Sequence, residues 1–346
     1  MSSFSSNAIL AKARSMYSQR LTESNYEELL KRRDVNDLAN YLRNDTVYNE
    51  ILSTFKEGTI HRGQLEALLN KEIFLRLNRL ARYAPKKEME FYKLSITEIE
   101  IQLLLQKIRI VTSKIYTGYE IEIPDYLGKY ANFNIYGLLG VEDYDGLLKC
   151  LKGSKYYNAL LKYRPSDNEE HFDTNLLELE LKHIYYYEYI GTVKKLYKGK
   201  KQKDLLTMLN TSIELQNITK IYRLKKYFNA TPDQIREVLF MESSRIPRSQ
   251  MEELIAAKDA SEFLRMLASS PYKLYVDDHE FVYIEYYTEK IKYHLARRYM
   301  RFSTDSALVY MTYKIVYQIE IDNLKHIIEG IRYGESPHQI AKMLIY

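Results

Sequence analysis

The chain has 346 residues, 46 % of them hydrophobic and 28 % charged, an ordinary globular composition long enough for more than one domain. Its 51 basic and 46 acidic residues are interleaved, the lysines of 194–203 excepted, and leave a formal charge of only +5, which does not describe a nucleic-acid binder, whose cations must cluster to displace counterions. With 12 Gly and 7 Pro it is short of the tight turns of a strand-rich protein, so helices are expected. No apolar run reaches the length of about 18 residues that spans a bilayer, and the opening MSSFSSNAILAKARSMY lacks a secretory core, so a cytoplasmic chain is expected. Cys150 is the single cysteine, which leaves no intrachain disulfide. Tyrosine is the outlier, 34 against no Trp; its ring suits partly buried faces and its hydroxyl reaches a polar partner.

In chain order, residues 24–42 (SNYEELLKRRDVNDLANYL) open with Ser24 and Glu27 at capping-box spacing, and Asp34 offers a second helix start before Leu38 and Leu42. The tyrosine-bearing DTVYNEIL follows, and long helices are predicted over 65–82 and 95–116. Within the latter, ITEIEIQLLLQKIRI (96–110) has a short strand-like alternation, but its length argues for helix. In the middle of the chain Leu138, Leu139, Asp143, Leu147 and Leu151 repeat the spacing of Leu29, Leu30, Asp34, Leu38 and Leu42, followed by SKYYNALL. Helices are predicted over 175–197 and 204–228, with the lysines of 194–203 read as a solvated loop broken by Gly199, or else as a weak attraction for anionic lipid. Residues 249–267 (SQMEELIAAKDASEFLRML) then match 24–42 without a gap, SSPYKLYV follows, and helices over 279–302 and 305–333 complete the pattern.

A second signature closes each unit. SIELQNITKI (212–221) matches QIEIDNLKHI (318–327), so that Glu214 and Asn217 meet Glu320 and Asn323. The first copy keeps the acid as Glu100 but has Leu103 in place of the asparagine. The same exit follows twice: Lys226–Tyr227 leads to Thr231-Pro232-Asp233-Gln234, and Arg332–Tyr333 leads to Ser336-Pro337-His338-Gln339, each a capping box with Pro in the first turn. The chain therefore reads as all-α, in three degenerate units of roughly 110 residues, with expected boundaries 1–120, 121–235 and 236–346. Asparagine is a poor mid-helix residue, so Asn217 and Asn323 point either to a specific hydrogen bond between helices or to a partner contact. Arg109 and Arg223 correspond in the repeat, with Glu329 in the third copy, and all three are interface candidates.

No catalytic or cofactor set is predicted. The glycine-rich phosphate loop ending in Lys-Ser/Thr is missing, and so is the Gly-x-Ser-x-Gly elbow. No two of the seven His stand at the spacing that puts two metal ligands on one helical turn. Asp277-Asp278-His279-Glu280 fits a helix start that complements the dipole better than a metal site. Glu98/Glu100 and Glu178/Glu180 lie two apart and face different ways on a helix.

With these motifs in view, above all SIELQNITKIYRLKKY and the carboxyl end IEIDNLKHIIEGIRYGESPHQIAKMLIY, the chain resembles the C subunits of the bacterial and archaeal A/V-type rotary ATPases, whose eukaryotic counterparts are the d subunits of the vacuolar ATPases. The resemblance implies three similar helical domains around a pseudo-threefold axis, forming a funnel-like body. It implies a non-catalytic central-stalk subunit, without cofactor, peripheral on the cytoplasmic face of the membrane. Its partners would be the D and F subunits of the central shaft and the proteolipid rotor ring, between which it would transmit torque for proton or sodium transport or for ATP synthesis. A helical-repeat adaptor of another cytoplasmic assembly is the alternative reading of the same repeats.

Overall fold

The computed structural model describes residues 2–53, 60–112, 121, 123, 127–128, 130–165, 174–242, 245–274 and 283–346. From the amino end the helices are α1 (Ser2–Ser18), α2 (Glu23–Leu30), α3 (Val35–Asp45), α4 (Asn49–Leu52), α5 (Arg62–Ala81) and α6 (Met89–Thr112). There follow α7 (Tyr144–Cys150), α8 (Tyr157–Lys162), α9 (Thr174–Leu196), α10 (Gly199–Phe228) and α11 (Pro232–Glu237). The chain ends with α12 (Arg248–Ala256), α13 (Ala260–Ala268), α14 (Ile284–Phe302), α15 (Ser306–Tyr333) and α16 (Pro337–Ala341). Among the described residues no strand forms, and the segment with strand-like alternation lies inside α6. The protein is all-α.

Local chemistry explains most of the boundaries. Asp34, Asp143 and Asp259 stand at equivalent places in the repeat, and each caps its helix by accepting the third backbone N–H, at 2.9, 2.7 and 2.8 Å. Thr231 with Gln234 and Ser336 with Gln339 close reciprocal capping boxes, with Pro in the first turn. The helices before these boxes stop at Asn229 (φ 47°) and Gly334 (φ 71°), residue types that accept the left-handed region. Three expectations are corrected. Ser24 is not a cap: Thr22 takes that role, with Asn25 reaching back to its N–H, and Ser24 falls inside the first turn. In the equivalent place α12 is entered from Pro247. The lysine run is hardly a loop, because α9 continues to Leu196 and α10 starts at Gly199. The acidic cluster 277–280 and the first residues of the helix predicted from 279 lie outside the described residues.

The chain divides into two compact units, Met1–Pro85 with Lys203–Tyr346, and Lys86–Gln202. In the first, α15 is buried along its length, and α1, α3, α5 and α14 pack on it. Ala307, Val309, Ile321, Leu324, Ile327 and Ile328 are fully buried, each aliphatic side chain larger than alanine contributing about 1.5–3 kcal/mol. Helix α1, which no sequence signal marked, is held by this packing through Ile9, Ala13 and Met16. Helix α5 runs antiparallel to α15, with Arg62 beside Glu329 and Arg76 beside Tyr313. A further core in the same unit joins the later part of α10 to α11–α13 through Ile218, Ile221, Ile235, Leu254 and Phe263.

In the second unit α6 and α9 pack antiparallel, with α7 and α8 beside them. Tyrosine supplies much of the filling: the Phe91 ring meets Tyr92, Tyr189 and Tyr197 edge-on at 5.4, 5.6 and 5.4 Å.

Candidate functional site

The repeated carboxylates are buried in mid-helix, at 0 % exposure for Glu100 and Glu214 and 6 % for Glu320. A carboxylate taken from water needs hydrogen-bond donors, and each receives the same kinds. Glu214 on α10 accepts the Arg245 and Ile246 backbone N–H groups at 3.0 and 3.1 Å and the Tyr272 hydroxyl at 2.5 Å. Glu320 on α15 accepts the Leu21 N–H at 2.8 Å and the Tyr48 hydroxyl at 2.7 Å. Glu100 on α6 accepts the Asn132 backbone N–H, its Nδ2 at 2.8 Å and the Tyr156 hydroxyl at 2.6 Å.

Burial, reinforced by the neighbouring glutamate, pushes the Tyr48 and Tyr156 hydroxyls well above their usual range, so they stay protonated and donate. Tyr272 is raised by the same burial and by its bond to Glu214. Burial also raises the Glu320 carboxyl, against the opposing pull of the Tyr48 and Leu21 donors. Near each latch a cation lies over a tyrosine ring: Lys155 over Tyr156 at 5.4 Å, Arg245 over Tyr272 at 5.2 Å, and Arg76 over Tyr317, the ring stacked on Tyr48, at 4.6 Å.

The three tyrosine-bearing stretches stand out in the sequence, but the role of these tyrosines does not, although a signal is present. In Thr46-Val47-Tyr48, Ser154-Lys155-Tyr156 and Ser270-Pro271-Tyr272 the hydroxyl two residues earlier accepts the tyrosine N–H, at 3.3 Å each time. This Ser/Thr-x-Tyr turn aims the ring inward. Of the adjacent pair Tyr156 and Tyr157, it is Tyr156 that takes the place of Tyr48.

The asparagines sit one helical turn after two of the carboxylates and are 3 % and 2 % exposed. Asn217 donates to the Phe240 carbonyl at 2.7 Å and accepts the Phe240 N–H at 3.4 Å. Asn323 does the same with Ile345, at 2.7 and 3.0 Å, and also donates to the Tyr26 hydroxyl at 3.1 Å. Each amide thus pairs with the N–H and C=O of one residue in the segment leaving the short capped helix, as a neighbouring strand would.

The three charged candidates lie toward the carboxyl ends of these helices, each facing an ion partner. Arg109 on α6 meets Glu178 on α9 at 3.3 Å, and Arg223 on α10 meets Glu285 on α14 at 3.5 Å. Glu329 on α15 meets Arg62 on α5 with the charges reversed. In every case the second long helix of one sequence copy is paired with the first long helix of the next, and the third copy returns to the first. The carboxylates follow the same rule: Glu100 reaches Tyr156 of the second copy, Glu214 reaches Tyr272 of the third, and Glu320 reaches Tyr48 of the first.

Among the described residues no group of three His, Cys, Asp or Glu side chains could hold a metal ion, and no helix is long and apolar enough to cross a membrane. The arrangement is that of an all-helical repeat fastened by buried polar latches. The chain matches the family described as ATP synthase (C/AC39) subunit over residues 9–343, and it belongs to that family. No curated protein matches it at the level taken as significant.

Proposed function

We propose that this chain is the non-catalytic central-stalk subunit of a V/A-type rotary ATPase, a socket that receives the D–F shaft and rests on the proteolipid rotor ring at the cytoplasmic face of the membrane. Torque then passes through it between nucleotide chemistry in other subunits and movement of protons or sodium ions. The observation that carries this reading is the cyclic pairing of the copies, first to second, second to third and third to first, through Glu100–Tyr156, Glu214–Tyr272 and Glu320–Tyr48. An open stack of repeats leaves its last helix without a successor. Here α15 takes the amino-terminal segment as its successor, which supports a closed pseudo-threefold collar.

A collar that transmits torque must resist shear between its members. Close-packed interiors deform little, and each latch adds directional hydrogen bonds to an acid that cannot be left unpaired without cost. In this reading Glu100, Glu214, Glu320, Asn217 and Asn323 hold the members in register. Arg109, Arg223 and Glu329 tie the long helices where they approach the partners.

Co-purification of the chain with the D–F pair, and separately with detergent-solubilised rotor ring, tests the proposal. Binding to both is expected; binding to neither would leave a helical adaptor of some other assembly.

A further inference from the structure

The joints between the paired long helices are basic in all three copies. The α5–α6 joint carries Arg82, Lys86 and Lys87, all exposed, beside Tyr83 at 45 % exposure. The α9–α10 joint carries Lys194, Lys195, Lys198, Lys200, Lys201 and Lys203 with no acidic residue between them. The α14–α15 joint carries exposed Arg298 and Arg301 beside Phe302 at 79 % exposure.

Within the second unit, ion pairs from Lys195 to Glu90 (2.7 Å) and Lys201 to Glu88 (3.6 Å) set the lysine joint against the start of α6, and Lys194, Lys198 and Lys200 stay exposed. Within the first unit the antiparallel packing of α5 on α15 brings the end of α5 to the same end as the α14–α15 joint, where Arg14 also donates to the Ser303 carbonyl at 2.7 Å.

Folding accounts for only part of this charge: Lys194, Lys195 and Arg301 stand in last turns, which favour cations, and Lys195 and Lys201 have ion partners. Lys200 stands exposed in the first turn of α10 with no acid there, where free amides repel cations. The cations of the three joints also share no common spacing. A protein partner would read such spacing, whereas a laterally fluid anionic surface reads charge without register.

We propose that each of these joints offers a patch for anionic lipid headgroups, with Tyr83 and Phe302 settling at the interface as exposed aromatic rings do beside Lys and Arg. The inference rests on the membrane-peripheral placement proposed above.

The test is co-sedimentation of the full chain with vesicles of phosphatidylcholine alone or enriched in phosphatidylglycerol, at low and high salt. Binding to the anionic vesicles only, and release by salt, is expected. At about fivefold per lysine near such a surface, Lys194→Gln, Lys198→Gln and Lys200→Gln together lower partitioning about a hundredfold, while helicity and the thermal midpoint hold. Equal binding to neutral vesicles, no binding to anionic ones at low salt, or an undiminished triple variant would each overturn the proposal. Binding to D–F and to lipid-free ring is measured in parallel. If the vesicle arm fails and these persist, only the lipid surface is wrong; if these fail as well, the socket reading falls with it. A triple variant that keeps its vesicle binding but loses the lipid-free ring assigns the joints to protein contact.

Discussion

Glu214 is satisfied by two peptide N–H groups and one phenol, and removing one donor to a buried acceptor costs more than an average hydrogen bond yields. Tyr272→Phe is therefore expected to lower unfolding stability by about 2 kcal/mol with little change in volume, read as a shift in the urea midpoint at unchanged slope. Asn217→Leu removes both side-chain bonds to the Phe240 backbone, whose carbonyl keeps the Glu242 N–H. Its thermal midpoint should fall while D–F affinity, measured below that midpoint, is kept; normal stability with lost binding would move Asn217 to the shaft contact. Glu320 adds a pH dependence. Because burial raises its carboxyl, the folded chain binds that proton more tightly than the unfolded chain. Its contribution is present in full below the ordinary carboxylate range and is lost as pH rises through the raised value. In Glu320→Gln this fall in the urea midpoint between acidic and neutral pH should flatten.

Elements depend on contacts closer than any single residue advertises. Helix α16 lies so near α15 that a Cβ on Gly330 would stand 2.5 Å from the Ile340 side chain. Gly330→Ala, although it raises helix propensity, is thus expected to destabilise the carboxyl end by about 1–3 kcal/mol through overpacking, visible as faster hydrogen exchange in α16. Capping boxes were legible in the sequence because they act over three or four residues. The Thr22 cap was missed because two polar residues compete within one turn and only the side-chain geometry selects between them. Helix α1 was missed for a different reason: its stability comes from burying Ile9, Ala13 and Met16 against distant helices.

At the scale of the molecule, α15 is closed by both ends of its own chain: Leu21 and Tyr48 bond Glu320, and Ile345 bonds Asn323. A chain lacking residues 1–53 should lose protection along α15 in hydrogen exchange and should no longer hold the D–F pair. A chain lacking only residues 334–346 should lose protection around Asn323 while Glu320 keeps its donors. Equal protection of α15 in the full and the amino-truncated chains would show that the return of the third copy to the first carries no load.

Three copies, their helices, most of their caps and the recurrent Glu and Asn could be read from residue order, because periodicity and capping are local and leave their mark within a few positions. The partner of each latch could not. Glu100, Glu214 and Glu320 lie in one copy and find their phenols in the next, across 56, 58 and 272 positions, and nothing local distinguishes a tyrosine of the same copy from one of its neighbour. That choice belongs to packing, which buries an acid only where donors from a separate segment converge on it.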